Sequence, residues 1–567
     1  MMQTRVVVAG LLFLWSGYSA FATSSIHAQA GIQRHALDLV TVRTQSWEIR
    51  FSPIGGVPVQ WNIIDSRYAS VDGRENGDGV IPLIDVELGG TGIERPFALV
   101  FPDKDLSKRV NEAVYALEES RESGHRVLSF STFIPDLDLE VVKRYSIPEH
   151  GFEARFTVTL SHRLPAGGQT NDEGVNLGIS LGPGLGAPAA RLAGLSGSLY
   201  SYVDAFYRSG GEVASVSVDG EEPSIELDTA GDSIQWGGLH DRYFMMALIP
   251  DAHASQEAAF QSGRVEMDSR LAELAGMTHE ALRLYPRIVL FAIPNDPATE
   301  SPINLSFIVY TGPKDRDILG ATPYNLDDIL FNGLWNWLRW ICFLLMSVLD
   351  GLHVWLGSWG LAILALAVVV RILIFPIAQV ALKKNAKMVA DQAKLKPLIK
   401  EVQEKYKGDL VKSHEATMAI YREHGINPHA VYGGCLPVLI QIPIFIALFN
   451  LLGQDIGLRG AGFLGIDDLS RPDQLFALGF TIPLMGSHFN LLPLIMAVSM
   501  VMVTNLATPP GADNAQKRSQ NRNMSILAMV FFLLFYPFPS GLLLYWITSN
   551  LLQFLQQRRV NRMMAPD

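Results

Sequence analysis

Two cysteines in 567 residues, Cys342 and Cys435, each inside an apolar stretch, exclude a disulfide framework and give no sign of thiol catalysis. The 13 histidines fall without metal-ligand spacing, and no phosphate-binding P-loop occurs. GPGLG (182–186) lacks the lysine such a loop needs and reads as a turn. Carboxylates are plentiful before residue 330 but show no paired acid and base. No basic tract is dense enough to follow a nucleic-acid backbone. These absences leave no cofactor, no metal and no nucleic-acid partner to expect.

What is present is an asymmetry of charge. Residues 31–330 hold 24 Lys and Arg against 43 Asp and Glu, whereas the rest of the chain holds 21 against 13. Basic residues collect in the cytoplasmic loops of membrane proteins, so the two parts are expected in different environments. The first 30 residues carry Arg5, the apolar run VVVAGLLFLW (6–15) and AQA (28–30), the pattern of a signal peptide or an N-terminal signal anchor. Either form exports the residues C-terminal to it.

Residues 36–312 are expected to form an all-β domain. Short alternating runs recur at 141–147, 152–160, 213–218, 224–227, 287–293 and 303–310, punctuated by Gly, Asp, Asn and Pro. Helical spacing near 265–283 predicts one interruption. After Pro323 the character changes. Residues 330–351 place Asn332, Asn336, Arg339, Ser347 and Asp350 on one stripe, which predicts an amphipathic helix lying at the membrane surface. A long tilted span is the other reading.

Five apolar segments come next, at 361–380, 434–453, 489–507, 524–538 and 540–557, each near the length needed to cross a bilayer. The connection 381–424 holds ten Lys and Arg against six acids, 508–523 holds Lys517, Arg518 and Arg522 against Asp513, and the tail 558–567 holds Arg558, Arg559 and Arg562. These three connections are expected inside and the β domain outside. The connection 381–424 reads as a helical hairpin turning at Lys407-Gly408-Asp409. The apolar stretch 475–486 contains a proline and reads as a re-entrant or interfacial piece of the outer loop.

Arg371 is the only charged side chain in the five segments. A charge at the bilayer centre costs roughly 2.5–3.5 kcal/mol on insertion scales, so it marks a functional site by default. Polar uncharged residues occur at Gln441, Ser499, Thr504, Asn505, Thr548 and Asn550. Gathering them with Arg371 around a water-holding cavity is the economical arrangement.

RILIFP (371–376), KLKPLIKEVQEKYKGD (394–409), INPHAVYGGCLPVLIQIPIFIALFNLL (426–452) and PFPSGLLLYWITSNLLQFLQQ (537–557) together resemble a YidC-type membrane protein insertase. The resemblance covers about 310–560; the first half is similar only weakly to the supersandwich-like periplasmic domain of Gram-negative members. It implies a five-helix inner-membrane core that inserts transmembrane segments, alone or with the Sec translocon. The hydrophilic groove would contain Arg371 and Gln441, and parts of 434–453 and 524–538 would form a lipid-facing slide. The hairpin 381–424 would receive ribosomes or targeting factors, and the short tail offers no ribosome-binding extension. Nascent membrane proteins and lipids are the implied partners, and an enzyme is not. A transporter with Arg371 as an anion site lacks an inverted repeat and a coupling charge. A membrane-anchored sugar epimerase leaves five spans unexplained.

Overall fold

The computed structural model describes residues 39–68, 81–85, 95–162, 177–183, 185, 202–216, 224–251, 260–267, 286–292, 302–423, 436–482, 485–506 and 514–564. The chain divides into two compact units, a β-rich one up to residue 312 and a helical one from 313 onward. The expected signal segment lies outside the described residues.

In the β unit, strands Val40–Arg43, Trp47–Ser52, Val57–Ile63 and Ile81–Asp85 form one antiparallel sheet. A second sheet has fourteen strands among the described residues. Its longest run pairs Ala116–Glu122, His125–Ile134, Leu139–Pro148, Glu153–His162 and Ile303–Pro313 in antiparallel register. Period-2 patterning explains the burial. Leu139, Val141, Tyr145 and Ile147 are buried along one face of their strand. Their face meets an aromatic core in which Tyr145 lies 4.9 Å from both Phe51 and Phe156. Trp47 adds a polar tie, since its indole Nε1 donates to the Thr311 carbonyl at 2.9 Å. Every alternating run named above contains a strand. One boundary needs correction. Residues 265–267 end a strand, Phe260–Met267, because β-branched Val265 packs into the sheet core; the rest of 265–283 lies outside the described residues. A helix not singled out from the sequence, α1 (Lys104–Glu112), also interrupts the strands, capped by the Asp103 side chain accepting from Asp105 N–H.

The helical unit opens with the short α2 (Arg316–Gly320) and continues with α3 (Asn336–Leu356), α4 (Trp359–Lys405), α5 (Leu410–Glu423), α6 (Leu436–Gln454), α7 (Leu492–Leu506), α8 (Asn514–Phe535) and α9 (Ser540–Met564). α3 starts and ends later than 330–351. Gly333 at φ +85° keeps the preceding residues in turns, and Gly357 at φ +68° supplies the left-handed C-cap. Its buried stripe is Leu338, Cys342, Leu345, Met346 and Leu349, the i, i+4, i+7, i+8, i+11 spacing of a packed face. No break separates 361–380 from 381–405, so the first apolar segment and the first arm of the expected hairpin are one helix running through Pro376 and Pro397. α8 and α9 likewise reach past the apolar windows 524–538 and 540–557 into polar sequence.

Among the described residues, α3 and the Trp359–Pro376 part of α4 are long and apolar enough to cross a membrane. Gln441–Gln454, Leu492–Val503 and Ser525–Phe535 are shorter apolar stretches. The segment 475–486 is neither span nor re-entrant helix. It forms an antiparallel hairpin of Phe476–Ile482 with Gly486–Phe489; Gly479 at φ +75° sits within the first strand where the register shifts, and Gly486 at φ +81° opens the second.

Candidate functional site

α4 packs one stripe, Ala362, Ile363, Leu366, Ala367 and Val370, into the helical unit. Arg371 comes directly after Val370 and is half-buried, about 18 Å along the helix from Trp359 at 1.5 Å per residue. Ile372 and Leu373, the next two residues, are exposed at 66% and 69%. Arg371 therefore sits where the packed face of α4 turns to its outer face. Its Nε is buried and has no hydrogen-bond partner among the described residues. Tyr545 of α9 lies within electrostatic reach of Arg371 and beside Gln441 of α6. Three helices thus bring one cation, one amide and one phenol together. A buried donor left without a protein partner is costly unless water or a ligand supplies the acceptor. The arrangement suits a hydrated polar notch inside an apolar bundle.

Residues 351–567 match the model of the 60Kd inner membrane protein family. A protein named membrane protein insertase YidC from Prosthecochloris aestuarii is 33% identical over 334 residues, covering 59% of this chain and 52% of that protein. One of the same name from Cellvibrio japonicus is 35% identical over 328 residues, covering 58% and 51%. Over its C-terminal part the chain is similar to proteins of the YidC type. It spans about half the length of these curated relatives. A crystal structure described as an active YidC insertase with its first transmembrane domain resolved aligns over 92% of this chain and 93% of that one, with 18% identity and a TM-score of 0.34.

Other polar residues expected in this core hydrogen-bond within and between its helices. Asn550 of α9 donates its Nδ2 to Ser499 Oγ of α7 at 2.9 Å, and Ser499 donates to the Met496 carbonyl at 2.7 Å. Both are buried, and together they tie α7 to α9. Thr548 Oγ1 donates to the Leu544 carbonyl of its own helix at 2.8 Å. Thr504 and Asn505 belong to α7, but their side chains lie outside what is described.

One site residue, Tyr545, was not singled out from the sequence, and neither was Gln556, a buried amide further along the same helix. The Gln556 side-chain amide is buried with both its nitrogen and its oxygen unpartnered among the described residues. Eleven residues separate it from Tyr545, three turns of helix and some 20°, so the two share one face of α9. The signal was available: Tyr545, Ser549 and Gln556 recur at i, i+4 and i+11 within an apolar run. In hydropathy patterning a tyrosine within an apolar run counts with its aromatic neighbours, which hides its hydroxyl.

Proposed function

We propose that this protein inserts transmembrane segments into the inner membrane, receiving them from the cytoplasm through the notch around Arg371, Gln441 and Tyr545. The observation that carries the reading is the buried, unpartnered Nε of Arg371, facing no carboxylate of its own chain among the described residues. A structural arginine would be paired. A cation left open can attract the polar flank of an incoming segment, and water in the notch keeps that flank hydrated. α8 supports the next step: Ile526, Met529, Val530, Leu533 and Leu534 are all exposed at i, i+3, i+4, i+7 and i+8. That stripe offers an apolar slide along which the hydrophobic segment passes into lipid, with Ile442 of α6 also exposed.

In this reading the five segments 361–380, 434–453, 489–507, 524–538 and 540–557 cross the membrane, each as part of a longer helix or packed pair. α3 lies at the outer surface with Trp335, Trp337, Trp340 and Trp355 exposed, as suits an interface. The basic connections and the C-terminus are cytoplasmic, and the β unit is periplasmic. α5 and the end of α4 form the cytoplasmic hairpin that meets ribosomes or targeting factors, and the Sec translocon is a partner for some substrates.

The test compares Arg371→Ala with Arg371→Lys in vesicles holding each variant at equal level. Model single-span substrates differ only in the charge of the translocated flank, and protease protection reads insertion. Positive charge matters more than the guanidinium fork here, since a moving flank offers no fixed bidentate partner. Lysine should keep most activity. Alanine should lower insertion of acidic-flank substrates on the order of tenfold, the effect of about 1.4 kcal/mol in a partly hydrated site, and affect neutral flanks less. Equal insertion of every substrate by both variants makes Arg371 structural.

A further inference from the structure

The hairpin Phe476–Ile482 and Gly486–Phe489 has no part in the notch, and its composition is unusual. The sixteen residues 475–490, LFALGFTIPLMGSHFN, contain no Lys, Arg, Asp or Glu. Leu475, Phe476 and Phe480 are exposed at 55%, 52% and 62%. Each strand has a single partner among the described residues, so the outer edges stay open. An isolated two-stranded hairpin is marginal in water, and proteins normally blunt open apolar edges with charge. This one is neither charged nor covered.

Its base is nonetheless fixed. Tyr536, fully buried at the end of α8, donates its hydroxyl to the His488 carbonyl at 2.9 Å and accepts from the Asn490 backbone N–H at 2.9 Å. Asn490 returns the contact, donating Nδ2 to the Tyr536 carbonyl at 2.8 Å and accepting from Gln474 N–H at 3.0 Å. Asp473 accepts from the Leu491 and Leu492 N–H groups, which caps α7 where the hairpin ends. A rigid base thus holds the hairpin level with the ends of α7 and α8, while Phe476, stacked on Phe489 at 5.1 Å, and Phe480 project from it.

We propose that this hairpin is a lipid-contacting wedge, with Leu475, Phe476 and Phe480 seated among the phospholipids of the outer leaflet at the level of the headgroups and first acyl carbons. The placement rests on the topology proposed above, in which the α6–α7 connection is outside and the ends of α7 and α8 mark the outer surface. Two physical limits fix the depth. Open strand edges cannot be satisfied in hydrocarbon, which keeps the hairpin out of the bilayer core. Exposed phenylalanines without neighbouring charge disfavour bulk water, which keeps it off the aqueous loop surface. The interface satisfies both.

The experiment places p-benzoylphenylalanine at position 480 of the full chain, reconstitutes it in phosphatidylethanolamine/phosphatidylglycerol vesicles with an inserting substrate present, and identifies photo-adducts by mass. The same residue at position 118, on an exposed strand of the β unit, is the aqueous control. The proposal expects phospholipid adducts at 480 at least tenfold above those at 118. Adducts mainly to a second copy or to the substrate, or lipid adducts no more abundant than at 118, overturn it. Side-specific proteolysis at engineered sites near 118 and 412 in the same vesicles reads the topology independently. A failed topology therefore shows as both sites on one side, and a failed wedge as correct sidedness without lipid adducts.

Discussion

Lys143 occupies an inward position of its strand, fully buried among aromatic rings, where period-2 patterning calls for an apolar residue. Its Nζ donates to the Gly55 carbonyl at 2.8 Å and the Phe97 carbonyl at 3.1 Å, and lies 5.6 Å from the Tyr115 ring. The ammonium ties two chain segments that no strand pairing joins, at the expense of desolvation. Burial pulls its pKa down to about 7. The folded form therefore holds fewer protons than the unfolded chain between about pH 7 and 10.5, and its stability rises with pH across that window. Lys143→Met strands two carbonyls and should cost about 1–3 kcal/mol. The loss should be larger at pH 9 than at pH 6, since methionine also removes the penalty of a buried charge. Urea unfolding followed by tryptophan fluorescence at the two pH values checks both statements.

Asp455, just past the end of α6, works in the opposite sense. Burial pushes its carboxyl up to about 7; the Gly457 N–H opposes the shift, and the Asp350 and Asp315 carboxylates add to it. The folded state holds an extra proton between about pH 4 and 7, so the stability this group contributes is lost as pH rises through 7. Asp455→Asn keeps an acceptor for the Gly457 N–H, at 2.9 Å in the wild type, and cannot ionise. Hydrogen exchange at the turn Asp455–Leu458 should slow at pH 8 in this variant and lose its pH dependence beyond the intrinsic rate. Wild-type exchange at pH 8 equal to that of the variant refutes the assignment.

Among elements, α4 shows packing overruling propensity. Gly360 is its second residue, and glycine is worth about 1 kcal/mol less than alanine in a helix interior. Propensity alone makes Gly360→Ala stabilising. A Cβ there would stand 2.0 Å from Cγ of Phe463, a ring held by the reciprocal Phe463 and Ile466 backbone hydrogen bonds of the α6–α7 connection. Overpacking of this kind costs about 1–3 kcal/mol, so the variant should melt lower in detergent. A raised melting temperature shows the loop yielding freely.

For the whole molecule, every residue of the notch comes from the helical unit, and no cluster of metal-ligating side chains marks the described residues. Deleting about residues 50–300 while keeping the export signal should preserve most insertion of a model single-span substrate in vesicles. Complete loss, with the shortened protein made at normal level, assigns the β unit a direct part in insertion.

By itself the sequence determined six of the strand segments, the apolar helices and where the one charge within the apolar segments lies. Each is a local pattern: alternation, 3.6-residue periodicity, or a guanidinium amid aliphatic neighbours. Charge bias also separated an acidic β part from a basic helical one. Helix ends were less legible, because α4, α8 and α9 continue unbroken from apolar into polar residues, where hydropathy changes but backbone hydrogen bonding does not. Only the tertiary structure decided that Gln441 meets Tyr545 beside Arg371, that Ser499 and Asn550 pair with each other, and that Lys143 points inward. It also made a hairpin of 475–490, fixed by Tyr536 from 46 residues away along the chain. Such choices depend on which faces of distant segments come together, and no periodicity within one segment encodes its partner.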